Sequence, residues 1–266
     1  MKVGRLTDID KDTIGRVTGL LFDIDDTLTT RGHLTPEAYA AMQRAKDAGL
    51  IVVPITGRPA GWCDHIARLW PVDGVVGENG AFYMAHDKTI GKLVTRYAKS
   101  VEERSADRIR LDAIAQDILD AVPGAALASD QQYRAADIAI DFCEDVPRLP
   151  PESIERIKRI MEARGLTAKV SSIHVNGWFG GYDKLSTTRL FLDERHGIDL
   201  DAEKDRFVFV GDSPNDAPMF AYFPLSVGVA NVRAFGGQLS AEPQFVTSAE
   251  CGAGFAEVVS AILAAR

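Results

Sequence analysis

Three short apolar runs, each followed at once by turn chemistry or an acid, constrain this chain more than any other feature. Residues 17–22 run into Asp23, residues 50–55 into Thr56, and residues 206–210 into Gly211 and Asp212. A run of this length bounded by turn residues reads as a strand buried on both faces, the kind found in parallel sheets. Helix signals separate the runs. Thr35-Pro36-Glu37 starts a helix, with Thr35 as the cap and Pro36 in the first turn, and Gly49 stops it after Ala48. A second helix is expected over residues 59–69 and a further strand over 74–76. This βαβαβ alternation implies an α/β fold: a Rossmann-like, doubly wound parallel sheet whose strands open at one shared edge.

After Gly80 the rhythm changes. Strands over 81–84 and 93–97, a long helix over 101–121, a strand over 138–142, a helix over 151–163 and a single strand over 168–175 read as an α+β insert. From Lys184 the first rhythm resumes, with a helix over 185–195, strands over 206–210 and 225–229, a helical turn near Val232 and a closing helix over 253–264. The expected organisation is therefore a discontinuous core, residues 1–83 and 184–266, interrupted by a cap of residues 84–183. Sites in such folds lie above the strand C-termini, where the units meet.

Composition excludes several classes of function. With 266 residues and about 150 per domain, the chain has room for a large core. Its 46% hydrophobic and 26% charged residues are those of a globular protein. The net charge of −8 and the lack of a Lys/Arg stripe argue against a nucleic-acid-binding face. An anionic substrate would have to be held by local donors and a cation, since the overall field repels it. Cys63, Cys143 and Cys251 are far apart and have no metal-ligand spacing, so neither a disulfide framework nor a zinc site is expected. His33, His65, His86, His174 and His196 show no ligand spacing either. No apolar stretch reaches the roughly 18 residues of a membrane span. The expectation is a soluble cytoplasmic protein with no nucleic-acid or membrane partner; nothing in the sequence specifies an oligomeric state.

Four segments carry candidate chemistry. In Asp23-Ile24-Asp25-Asp26-Thr27, carboxylates at i and i+2 of an extended segment face one side. Crowded carboxylates are tolerated when a divalent cation lies between them or when one is protonated and serves as an acid. Both arrangements suit phosphoryl transfer; the plainer reading is an acidic turn. Thr56-Gly57-Arg58-Pro59 offers a hydroxyl, free N–H groups and a guanidinium to an anion, or simply a helix cap. Gly181-Tyr182-Asp183-Lys184 opens a helix with a lysine able to hold phosphate and keep a nearby carboxylate ionised, though a lone lysine is usually solvated. Gly211-Asp212-Ser213-Pro214-Asn215-Asp216 again puts oxygen ligands for a hard cation at a strand end, with a capped helix start as the plain alternative. Three of the four follow apolar strands that should end at one edge of a parallel sheet, and the lysine segment opens a helix at the junction of cap and core.

This ordered set resembles the haloacid dehalogenase superfamily of aspartate-dependent phosphotransferases, over the whole chain. The insert resembles the α+β cap of subfamily IIB, and residues 75–81, Val-Val-Gly-Glu-Asn-Gly-Ala, resemble the segment that precedes it. Residues 211–216 are most similar to those of sucrose-phosphate, trehalose-phosphate and mannosyl-phosphoglycerate phosphatases. The resemblance implies Asp23 as nucleophile and Mg²⁺ ligand. It implies Asp25 as acid and base, with its main-chain carbonyl also on the metal. Thr56 and Lys184 would hold the phosphoryl group, Asp212 and Asp216 the metal, and Asn215 the phosphate or Lys184. Gly57, Arg58 and Asn79 are further candidates for phosphate or substrate binding. Asp26 departs from the family, where Gly is frequent.

The expected function is Mg²⁺-dependent hydrolysis of a small phosphorylated metabolite, a sugar phosphate, through an aspartyl-phosphate. A sugar phosphomutase of the phosphomannomutase type and a non-catalytic phosphometabolite sensor are the alternatives. The cap selects the leaving group, because the core meets only the phosphoryl moiety shared by all substrates. Asn79, Tyr133, Arg134, His174, Asn176 and Trp178 are its candidates, with Trp178 either stacking on a sugar or lying in the core.

Overall fold

A computed structural model describes residues 3–266. Its core sheet is built from β1 (Gly4–Arg5), β2 (Gly19–Phe22), β5 (Ile51–Pro54), β13 (Phe207–Gly211), β14 (Leu225–Gly228) and β15 (Phe245–Val246). All neighbouring pairs are parallel, in the order β1-β15-β14-β13-β2-β5. The expected parallel α/β sheet is present, and its strands are buried on both faces. Leu20 and Phe22 pack toward Met42 of α2 (Pro36–Asp47) and Phe255 of α9 (Cys251–Ala265). Leu21 between them packs toward Phe191 of α6 (Lys184–His196) and Phe220 of α8 (Ala217–Tyr222). Thr35 caps α2 as expected, accepting from the Ala38 N–H at 3.3 Å. Two short helices, α1 (Lys11–Gly15) and α7 (Leu200–Glu203), and a two-strand ribbon, β3 (Thr29–Thr30) with β4 (His33–Leu34), complete the core. The ribbon, α1, β1 and β15 are too short for sequence periodicity to register.

Beyond β5 and α3 (Ala60–Leu69), Ile55 bridges in parallel to Val76, and β6 (Val75–Gly77) then pairs antiparallel with β7 (Phe82–Asp87), which pairs with β8 (Lys92–Tyr97). The expected division after residue 83 falls inside β7. This hairpin continues the edge of the core, and Tyr83 and Ala85 share a hydrophobic cluster with Leu21 and Phe191.

The remaining insert holds α4 (Val101–Ala121) and α5 (Pro151–Ala163) against a four-stranded antiparallel sheet. That sheet comprises β9 (Ala126–Leu127), β10 (Asp137–Asp141), β11 (Thr167–Val170) and β12 (His174–Trp178), in the order β11-β12-β10-β9. The single strand expected over 168–175 is two strands joined by a turn. Ser171 Oγ accepts from the N–H groups of Ile173 and His174 at 3.3 and 3.0 Å, so the serine satisfies backbone donors that a continued strand would have used. The sheet alternates cleanly. Ile138, Ile140, Ala168 and Val175 pack against Leu111 and Ile118 of α4 and Met161 of α5. Residues of opposite parity, among them Asp137, Lys169, His174, Asn176 and Trp178, occupy the other face.

Candidate active site

The C-terminal ends of β2, β5 and β13 bring the four motif segments together. Lys184, first residue of α6, places its Nζ 2.7 Å from Asp23 Oδ1 and 2.8 Å from Asp216 Oδ1, all three side chains being buried. Asp183 caps this helix by accepting from Ser186 N–H at 2.7 Å, which sets the lysine at the mouth of the site. Gly211 is needed here for close approach: a Cβ on it would meet Asp216 Oδ2 at 2.5 Å. That oxygen in turn accepts from the Asp212 N–H at 3.1 Å, which folds the segment after β13 back over the strand end.

Asp23, Asp212 and Asp216 each offer a carboxylate oxygen within 4.8 Å of the others. Burial, then the repulsion of Asp216 and Asp25, pushes Asp23 up to about 8 despite Lys184. Burial and the carboxylates of Asp216 and Asp23 raise Asp212 well above the ordinary range. Three buried carboxylates meet one ammonium, an excess of negative charge that a hard divalent cation relieves. The donor set therefore fits Mg²⁺.

Asp25 stands apart from this trio. Its carboxylate is gripped by Arg58, with Nη2 at 2.8 Å and Nε at 3.0 Å. The same guanidinium reaches Glu144 Oε1 at 2.7 Å and Asp130 Oδ2 at 3.3 Å, so Arg58 ties the strand end to the insert. Burial raises the Glu144 carboxyl, but hydrogen bonds from His174 and Arg58 outweigh it and hold it at about 2. Thr56 is buried, and its Oγ1 accepts from the Arg58 N–H at 3.0 Å. Asn79 follows at left-handed φ 54°, and neither of its buried amide atoms has a hydrogen-bond partner. Asn215 accepts from Ser213 Oγ at 2.8 Å. Gly57 lies so close to Asn79 that a Cβ would meet its Nδ2 at 3.2 Å.

The turn 171–174 closes over Asp23 and Asp25, leaving a cavity of about 20 Å³ lined also by Asn176 and Asn215. That space admits about one water, so a phosphoryl group enters only when the turn moves away. A second cavity of about 190 Å³ lies beside Lys184, Asn79 and Asn215, under Lys169, Trp178 and Tyr182.

Several expected substrate contacts are otherwise engaged. Arg134 is fully buried between Asp130 and Asp137, at 3.2 and 3.1 Å, and donates to the Gly57 carbonyl at 2.9 Å. Tyr133 is exposed, and its ring abuts Gly61. Trp178 is buried, stacks on Tyr182 with centroids 5.9 Å apart and donates to the Tyr182 carbonyl, so that ring face is already covered.

Other residues escaped sequence reasoning. Thr27 Oγ1 donates to Asp212 Oδ1 at 3.1 Å, and Asn231 Nδ2 to Asp212 Oδ2 at 3.3 Å and the Asp26 carbonyl at 2.9 Å. Asn231 follows β14, so the rule that a polar residue closes an apolar strand could have found it. Buried Glu78 accepts from the N–H groups of Ala60, Ala135 and Ala136 at 3.0, 2.8 and 2.7 Å, pinning the start of the insert; nothing in the sequence signals that pairing. Asp26 has φ 56°, a left-handed turn that explains why glycine is common there and that aspartate tolerates.

Comparison with known proteins agrees with this architecture. A profile of the haloacid dehalogenase-like hydrolases matches residues 20–107. A phosphoglycolate phosphatase from Pyrobaculum neutrophilum is 30% identical over 249 residues, 92% of this chain and 95% of the relative. Another from Thermoplasma acidophilum is 26% identical over 202 residues, covering 74% of this chain and 78% of the relative. A crystal structure of a Thermoplasma acidophilum protein superposes with a TM-score of 0.69 at 19% identity, covering 93% of this chain and 98% of that one. The chain belongs to the haloacid dehalogenase-like hydrolases, and it is an enzyme of their phosphatase class. No helix among the described residues is long and apolar enough to cross a membrane.

Proposed function

We propose that this enzyme is a Mg²⁺-dependent phosphomonoesterase working through an aspartyl-phosphate on Asp23. Its substrate is a small phosphorylated hydroxy acid of the phosphoglycolate kind, in place of the sugar phosphate expected from sequence. The core comprises the parallel sheet with the β7–β8 hairpin, and residues 98–183 form the cap. The observation that carries the mechanism is the separate electrostatic grip on two carboxylates two positions apart: Asp23 Oδ1 on Lys184, Asp25 on Arg58.

With Oδ1 held, Asp23 Oδ2 attacks phosphorus while the bond from phosphorus to the ester oxygen breaks. Lys184 and the Thr56 hydroxyl hold the transferring group, and Asn215 lies at the same cavity. Asp25, protonated once turned out of its pair with Arg58, gives its proton to the departing alkoxide. A water then attacks the aspartyl-phosphate, Asp25 takes its proton, and Asp23 is regenerated with release of inorganic phosphate. Asp23, Asp212, Asp216 and the Asp25 carbonyl would hold Mg²⁺, which when bound neutralises charge on the phosphoryl oxygens.

The names of two relatives favour the hydroxy acid. So does the covered face of Trp178, which has no room to stack on a sugar. The cavity beside Lys184, about 190 Å³, is smaller than the ~300 Å³ at which sites for drug-sized ligands begin. Phosphate release from phosphoglycolate, sugar phosphates and nucleotides, each with Mg²⁺ and with EDTA, tests the reading. Preference for a small phosphorylated acid is expected; a preferred sugar phosphate would overturn the substrate, and silence across the panel the activity.

A further inference from the structure

Lys169 stands out on the cap face that looks into the cleft. It sits on β11 in register with Asn176 of β12, and Asn176 lines the small cavity over Asp23 and Asp25. Lys169 itself lines the larger adjoining cavity with Lys184, Asn79 and Asn215. The other lysine and arginines around this cleft are paired: Lys184 with Asp23 and Asp216, Arg134 with Asp130 and Asp137, Arg58 with Asp25 and Glu144. Asp183, also on the cavity wall, is occupied by capping α6. Lys169 has no carboxylate partner among the described residues; Lys11, Lys88, Lys92 and Lys204 share that state, but of these Lys169 alone lines the cavity beside Lys184.

A second feature belongs to the same cavity wall. The side-chain amide of Asn79, 3% exposed, has no partner for either Nδ2 or Oδ1. An unsatisfied buried polar group is costly and is kept where a ligand completes it. The cavity wall thus carries an unpaired lysine and an unpartnered amide, with no unengaged carboxylate to repel an anion.

We propose that Lys169, with the Asn79 amide on the wall of the same cavity, binds a carboxylate on the leaving group and makes Lys169 the residue that selects phosphorylated acids over phosphate esters of uncharged alcohols. This deepens the phosphatase reading and rests on it. The phosphoryl end engages Lys184 while the carboxylate end reaches Lys169 across the same cavity. Lysine acts here as a point charge on a flexible stem, so arginine would keep the charge and alter the fit.

The test pairs two substrates that differ only in the distal group: 2-phosphoglycolate and ethylene glycol monophosphate. Initial rates give kcat/KM for each with the wild type, Lys169→Met and Lys169→Arg. The wild type is expected to prefer phosphoglycolate by about 10- to 100-fold, the range of one charge-assisted hydrogen bond. Lys169→Met should lose that preference, mostly through KM, while hydrolysing ethylene glycol monophosphate as the wild type does, which also reports that it folds. Lys169→Arg should retain part of the preference. A preference that survives Lys169→Met, or an equal fall on both substrates, overturns the assignment while leaving the phosphatase reading intact. Loss of phosphate release from both esters in the wild type overturns that reading, and the assignment with it.

Discussion

On the core wall of the cleft Lys184 lies within 2.8 Å of two buried carboxylates, whereas on the cap wall Lys169 has no acidic partner. The contrast extends to the neighbouring groups. Core polar atoms are locked to one another: Asp212 to Thr27 and Asn231, Asp216 to the backbone of Asp212. Lining the same cavity as Lys169, Asn79 leaves both atoms of its buried amide unpaired. The lesson is a division of labour. Chemistry common to all substrates needs fixed donors and charges, which preorganisation makes effective. Selection needs groups whose partner is the substrate itself.

The comparison breaks most severely if the core wall is dispensable for turnover. Asp23→Asn should lower phosphate release by at least about 10⁴-fold, the scale on which removing a nucleophile acts, with the circular dichroism spectrum unchanged. EDTA should cost at least about 10²-fold, since a bound cation supplies several kcal/mol of charge stabilisation, and added Mg²⁺ should restore the rate. Asp216→Ala probes the locked network through stability. Lys184 keeps Asp23 as a partner and one of three crowded carboxylates is gone, so urea denaturation should show a loss well short of the roughly 3 kcal/mol that a wholly unpaired buried charge costs.

The contact between the walls through Glu144 is sharpened by pH. Glu144 is ordinarily near 4.5 and is held at about 2 in the folded protein, so its stabilisation is complete above 4.5 and is lost as pH falls through 2. Hydrogen exchange at residues 171–174 should therefore accelerate across that window in the wild type, and Glu144→Gln should show less of this dependence. The smallest effect belongs to Asp26→Gly, which relieves a left-handed aspartate but frees the unfolded chain. Urea midpoints should place it within about 1 kcal/mol of the wild type.

The same two walls differ in how far a sequence exposes them. The strands ending at Asp23, Thr56 and Asp212 are continuous apolar runs, because both faces are buried, and the helix after the first carries a visible cap at Thr35. Register and connection rules then bring those ends to one edge. The cap sheet is polar on one face, and alternation alone does not say which polar residues are consumed internally. Arg134 and Trp178 looked as suitable for substrate as any, yet one is buried in an ion-pair cluster and the other lies under Tyr182. Lys169 gave no local signal, since its significance lies in what does not surround it. The turn at Ser171 was also hidden, because a serine pair inside an alternating run is compatible with a strand until its hydroxyl takes the backbone donors.

The central claim is that Asp23 carries the phosphoryl group between substrate and water. Acid-quenching the enzyme during turnover of phosphoglycolate with Mg²⁺, followed by peptide mass spectrometry, tests it most directly. The account predicts a phosphoryl adduct on the peptide containing Asp23, absent from Asp23→Asn and absent when EDTA is present. Steady hydrolysis by the wild type with no adduct at any quench time, accompanied by turnover in Asp23→Asn, would contradict it.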